Sequence, residues 1–322
     1  MHNSMQVILA GHVADNTLKA YAPVIKKLHS FCVQQDYSFP FCNEMAAVHF
    51  LAFALKSKEP VSFFGKVTAA MKYLGVMIGA EIVTPFVSSA NNSIKRQLAK
   101  TKPPVKKAPC YSVQVLIELY RKIVQPFEDD IYKVNGILFR SLFRATIMYF
   151  TFCRFSDFNI LYDGDFEIFS DYIRITFRRS KNDQFYRGSV SIIPKKDQGF
   201  CPYKLTISYF QRFHLKFGRG NRALLNFRLK NDKGFHSRLP GKNLSVGTAV
   251  KHTKNMLKSF GFPYENYSEK AFKVAGVTAL YNSGESLEHV MIAGRWHSLL
   301  TPMHYRDVSD EFKQSIVEKI PN

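Results

Sequence analysis

The sequence is short of acidic residues, cysteine and tryptophan. Twenty-five Asp and Glu stand against 45 Lys and Arg, leaving a net charge of +20 with His neutral. An excess of that size repels itself in the compact state and draws polyanions. Nucleic acid is therefore the first candidate partner and an anionic membrane surface the second. The 5 cysteines, Cys32, Cys42, Cys110, Cys153 and Cys201, are odd in number and scattered, with no CxxC pair. That spacing speaks against a zinc site and against a disulfide framework, and favours a reducing compartment. No carboxylate cluster and no Cys/His ligand spacing is present, so the sequence marks no metal site. Long uninterrupted apolar runs are missing too. The greasiest stretch, GILFRSLFRATIMYFTFCRF, is cut by Arg140, Arg144 and Arg154 and reads as too charged to span a bilayer. The first residues, MHNSMQVILAGHVADN, lack the basic start and long apolar core of a signal peptide. A soluble intracellular protein with no membrane partner is the expectation.

What is present points to a folded chain. Its 322 residues allow two ordinary domains, and 46% hydrophobic with 14% aromatic content supports a sizeable core. Apolar periodicity predicts helices over 15–36, with Asp15 or Asn16 as cap, and over 43–57, capped by Asn43. Further helical patterns cover 61–78 and, more weakly, 88–99. Residues 1–99 thus read as a helical bundle. KTKPPVKKAPC, residues 100–110, carries three prolines and four lysines and reads as an extended basic linker. It is either a solvated connector, a strap along a phosphate backbone through Lys100, Lys102, Lys106 and Lys107, or a nuclear-import signal. Residues 111–322 form the second domain. Helices are predicted over 112–125, 136–153, 202–215, 245–260 (capped by Ser245), 268–282, 285–294 and 307–319. Strands are predicted over 172–178 and 187–193, joined by the polar turn RSKNDQFY. The fold class expected is mainly α with a small antiparallel β-sheet.

Four places carry candidate chemistry. In FCRFSDF, Arg154 is placed at the end of a long apolar helix, where a charge needs a partner, and Asp157 follows three residues later. Lys181 projects from the hairpin turn. Lys270 and Lys273 lie at i and i+3 at a helix start, where anions already bind favourably. Last, MIAGRWHSLLTPMHYRD holds the sole tryptophan, Trp296, flanked by Arg295 and His297, with Tyr305 nine residues on.

In order and spacing, Arg154-x-x-Asp157, Lys181 in a turn, Lys270-x-x-Lys273, Gly294-Arg295-Trp296 and Tyr305 resemble the catalytic domain of the tyrosine recombinases. The family spans phage integrases and the recombinases of eukaryotic mobile elements of Crypton, DIRS and Ngaro type. Its pattern is an Arg in R-x-S-[DE], a hairpin Lys, H-x-x-R, His or Trp, then Tyr. RFSD fits the first segment, GRW followed by Tyr is most like the mobile-element branch, and the bundle at 1–99 looks like the family's core-binding domain.

The resemblance implies that Tyr305 attacks a DNA phosphodiester and forms a 3′-phosphotyrosyl link. Arg154, Lys270 and Lys273 would stabilise the charge built on phosphorus, and Trp296 would line the pocket. Lys181 would protonate the leaving 5′-oxygen, and Asp157 would orient Lys270. Arg179, Arg295 and His297 join the linker lysines as DNA contacts. Double-stranded DNA is the implied partner and the nucleus the implied site, or the nucleoid if the source is prokaryotic. Tetramers would assemble through the C-terminal helix. One departure stands out: Lys occupies both defined positions of H-x-x-R. Arg grips two phosphate oxygens as a planar fork, whereas Lys offers a point charge. The resemblance thus leaves three activities open. They are an active recombinase, a domesticated DNA-binding protein that has lost cleavage, and a type IB topoisomerase-like enzyme.

Overall fold

A computed structural model of the chain describes residues 15–40, 43–101, 110–178, 188–216, 220–229, 236–238, 243–303 and 318. The chain divides into two compact units, Met1–Val105 and Lys106–Asn322.

Among the described residues the first unit holds four helices, α1 (Asp15–Gln34), α2 (Glu44–Lys56), α3 (Val61–Ile78) and α4 (Pro85–Lys100). Local chemistry sets their starts. The Asn43 side chain accepts from the Ala46 amide at 2.7 Å, as expected of that cap. The Thr84 hydroxyl does the same for Val87, with Pro85 opening α4. This start lies three residues before the predicted one. The core is drawn from one stripe of each helix, with Leu28, Phe31, Phe50, Phe64, Val67 and Val87 buried. By length and composition α3 is apolar enough to cross a membrane, but its buried side chains face the other helices of the bundle.

The second unit is built around α6 (Gly136–Thr151), against which α5 (Val113–Ile123), α8 (Pro202–Arg212), α9 (Val246–Ser259) and α10 (Ala271–Asn282) pack. The arginines that interrupt α6 are 1% exposed. Arg140 donates to the Leu225 carbonyl at 2.8 Å and to His252 Nδ1 at 2.5 Å. Arg144 donates to the Ala249 carbonyl at 3.2 Å, to Tyr267 at 3.1 Å and to Thr253. Bound this way, the two charges tie α6 to α9 from the inside. Helix α10 reaches α6 more closely than any β-carbon allows. A methyl group on Gly276 would lie 2.0 Å from the Tyr149 carbonyl oxygen.

Strands β2 (Tyr172–Phe177) and β3 (Ser189–Pro194) pair antiparallel close to the predicted bounds, with Phe177 opposite Ser189. A third strand, β1 (Phe166–Ile168), flanks β2, and β4 (Phe227–Leu229) pairs with β5 (His236–Arg238). These three were not legible, being three residues each, too short to show a period. Side chains alternate along β2 and β3, so Ile173, Ile175, Phe177, Ser191 and Ile193 face inward. The unit continues through α11 (Leu287–Ala293) to α12 (Leu300–Met303). The helix predicted over 307–319 lies outside the described residues, apart from Glu318.

Candidate active site

The first cationic group is positioned differently from the expectation. Helix α6 stops at Thr151, before Arg154, because Phe152 takes a left-handed conformation with φ 52°. The chain turns there. Arg154 then stands as the N-terminal cap of a one-turn helix, α7 (Phe155–Phe158), anchored by buried Phe155 and Phe158. Asp157 receives the Arg154 amide at 3.3 Å, and its carboxylate lies 3.9 Å from the Arg154 guanidinium. Among the described residues Asp157 pairs with Arg154, as their i, i+3 spacing suggested, and not with Lys270, the partner that the resemblance implied.

The two lysines of α10 part company. Helix α10 begins at Ala271 rather than 268, so Lys270 occupies the cap position and is exposed. Lys273, one turn in, is 2% exposed. They do not form one basic face. Burial and the neighbouring Arg154 charge bring the Lys273 pKa down to about 7, with Arg295 adding to the effect. Its ammonium sits 5.1 Å from the centre of the Trp296 ring.

Trp296 is itself buried, stacked on Phe152 with ring centres 6.5 Å apart, in a small cluster with Val277, Tyr281 and Val290. A β-carbon on Gly294 would meet that indole at 2.4 Å, which accounts for glycine in the GRW triplet. Arg295 was expected to be an ordinary DNA contact. Its guanidinium instead lies 4.0 Å over the Phe177 ring and donates to the Ser191 hydroxyl. Its charge also acts on Cys153, Asp157 and Arg154. Cys153 is fully buried and feels the Arg295, Asp157 and Lys273 charges, and burial pushes its thiol up to about 11.

The structure thus gathers Arg154, Asp157, Lys273, Arg295 and Trp296, while Lys270 and His297 are exposed at the margin and Lys100 is exposed at the end of α4. Tyr305, Lys181, Arg179, Lys102, Lys106 and Lys107 lie outside the described residues. The supporting residues Phe152, Cys153, Phe177 and Ser191 were missed. Only the inward register of β2 and β3 hinted at the last two. Among the described residues, no group of three His, Cys, Asp or Glu side chains is placed to hold a metal. A cleft of about 850 Å³ lined by Tyr120, Glu128, Tyr132, Lys195 and Tyr203 contains none of the site residues.

Comparison with solved structures decides the fold. The Tn1549 transposon integrase in complex with transposon right end DNA matches with a TM-score of 0.54 at 11% identity, covering 98% of this chain and 97% of that one. A lambda integrase dimer bound to a core site matches at 0.53 and 13% identity, over 95% and 75%. The XerH site-specific recombinase in its post-cleavage complex matches at 0.52 and 15% identity, over 88% and 71%. The fold is that of the tyrosine recombinases. No protein-family model and no curated protein matches the sequence. In this recombinase fold the cationic cluster is assembled by two chain reversals, one after α6 and one after α11, against the inward face of the β2–β3 pair.

Proposed function

We propose that the protein is a DNA strand transferase that cuts and rejoins duplex DNA through Tyr305. The observation that carries this reading is the convergence of the Arg154, Lys273 and Arg295 charges beside Trp296, from segments far apart in sequence. Cations held together in a partly buried place are costly without an anion, and a phosphodiester supplies one. The phenol oxygen of Tyr305 bonds to phosphorus as the bond to the 5′-oxygen breaks. The phenol gives its proton to solvent water, and the leaving 5′-oxygen takes one from Lys181. Bond energy stays in the 3′-phosphotyrosyl link, so rejoining needs no nucleotide cofactor. Arg154 and Lys273 stabilise the charge on the non-bridging oxygens, Trp296 walls the pocket, and Asp157 steadies Arg154.

Residues 1–99 act as the DNA-clamping domain and the basic linker as a strap on the backbone. Protomers associate on DNA through residues 307–319. The likeness of the GRW triplet to that of eukaryotic mobile-element recombinases supports a role in integration or excision. The test is a duplex selected by the protein from a random library and nicked so that cleavage traps the covalent adduct. Wild-type protein forms the adduct and Tyr305→Phe does not. Tight binding without adduct would instead identify a DNA-binding protein that no longer cleaves. Relaxation of unselected plasmid by monomer would identify a topoisomerase.

A further inference from the structure

Arg295 holds a backbone position that favours another residue. Helix α11 closes with the Trp296 amide donating to the Met291 carbonyl and the Arg295 amide to the Ile292 carbonyl, each at 3.0 Å. This double bond pattern is a Schellman turn, whose residue after the cap is usually glycine. Here that residue is Arg295, at φ 56°, while Gly294 stands one place too early with φ −83°. Left-handed backbone is unfavourable for any residue with a β-carbon, and such outliers concentrate where a side chain is needed.

The side chain is held as firmly as the backbone. Its guanidinium stacks over Phe177 from β2 and donates to Ser191 from β3, which fixes both the plane and the rotation of the fork. Among the described residues no carboxylate lies within ion-pair distance of it. Its charge acts on Cys153, Asp157 and Arg154. Two guanidinium charges that act on each other, with Asp157 paired to Arg154 at 3.9 Å, leave an excess of positive charge that an anion offering several oxygens would offset. Lys273 is tucked against the indole and supplies a point charge, not a fork.

We propose that Arg295 is the second guanidinium that grips the scissile phosphodiester, opposite Arg154, so that the two-oxygen grip is delivered from the end of α11 and not from α10. This rests on the strand-transfer reading above. Single-turnover cleavage of the selected, nicked duplex and affinity for the same duplex are measured for wild type, Arg295→Gln, Arg295→Lys and the double variant Arg295→Gln with Lys273→Arg. Removing a donor aimed at transition-state charge costs about a hundredfold or more in rate. Arg295→Gln is expected to lose that much cleavage with affinity changed by less than about threefold, and Arg295→Lys to recover only a small part. Adding Lys273→Arg to Arg295→Gln restores about tenfold or more, because a guanidinium returns to the cluster from the other side; a merely structural role for Arg295 would give no such rescue. Cleavage by Arg295→Gln within about fivefold of wild type overturns the proposal, as does a loss in both single variants matched by an equal loss of affinity or of folded protein. Wild-type protein that forms no adduct overturns the strand-transfer reading itself, an outcome visible before any Arg295 variant is made.

Discussion

The rings of Phe152 and Trp296 lie nearly parallel, 13° apart. They are the meeting point of two chain reversals. Phe152 itself is left-handed, and so is Arg295, the residue just before Trp296. The first reversal turns the chain out of α6 and presents Cys153, Arg154 and Asp157. The second turns it out of α11 and presents Arg295 and Trp296. Each left-handed residue costs on the order of 1–2 kcal/mol. The stacked rings and the small apolar cluster around them offset that cost, and α10 delivers Lys273 to the same spot.

Gly294→Ala tests how tightly this meeting point is built. The added β-carbon would stand 2.4 Å from the indole, so the ring must leave its stack on Phe152 and its contact with Lys273. The expected loss is about 1–3 kcal/mol of stability, typical of overpacking. Denaturant unfolding followed by fluorescence reads it directly, since the chain has 1 tryptophan. The folded-state emission moves to the red as the indole gains water. Unchanged stability with unchanged emission would mean that the ring has slack that the close approach does not allow.

Lys273 makes stability depend on pH in a defined direction. Its pKa is about 7 in the folded chain against 10.5 ordinarily, because burial and the Arg154 charge disfavour the ammonium. Between those values the unfolded chain binds the extra proton and the folded chain does not. Lys273 therefore contributes stability that rises with pH across that window, with a slope of at most about 1.4 kcal/mol per pH unit. Below the folded value the full cost of burying the charge is present. Urea unfolding of wild type and Lys273→Met at pH 7, 8 and 9 isolates the effect. The wild type gains on the variant at each step upward; a constant difference would place the Lys273 pKa outside the window.

The sequence made the helices legible where a cap and a stripe coincided. Asn43 and Ser245 both accept from the amide three residues on, at 2.7 and 3.1 Å, as their positions implied. The β2–β3 pair was legible from alternation. The site was legible as a set of residues but not as a geometry. Periodicity carried α6 straight through to residue 153, because nothing in TFCRF announces a left-handed phenylalanine. The same blindness made Lys270 and Lys273 look equivalent. The start of α10 at Ala271 rather than 268 decides that the first caps the helix in solvent and the second is buried. The setting of Arg295 was hidden for a related reason: nothing in a basic residue beside a tryptophan announces the turn that lays it over Phe177. Long-range packing sets all three, and a single sequence does not encode it locally.

Lys273→Arg separates the charge at this position from its ability to lose a proton. With its pKa near 7, Lys273 is largely neutral at pH 8 in the free protein. A phosphodiester placed beside it favours the ammonium and raises that value, so DNA binding at pH 8 draws in close to one proton. Calorimetry of binding in two buffers of different ionisation enthalpy counts it. Arginine stays charged throughout, so the variant takes up no proton at this position. The fork also adds a second contact to the phosphate, and cleavage of the selected duplex is expected to hold or rise, with affinity similar to wild type. A several-fold loss of cleavage at unaltered affinity would show that Lys273 does not stand where the phosphate lies. The site would then have to be redrawn around Arg154 and Arg295 alone.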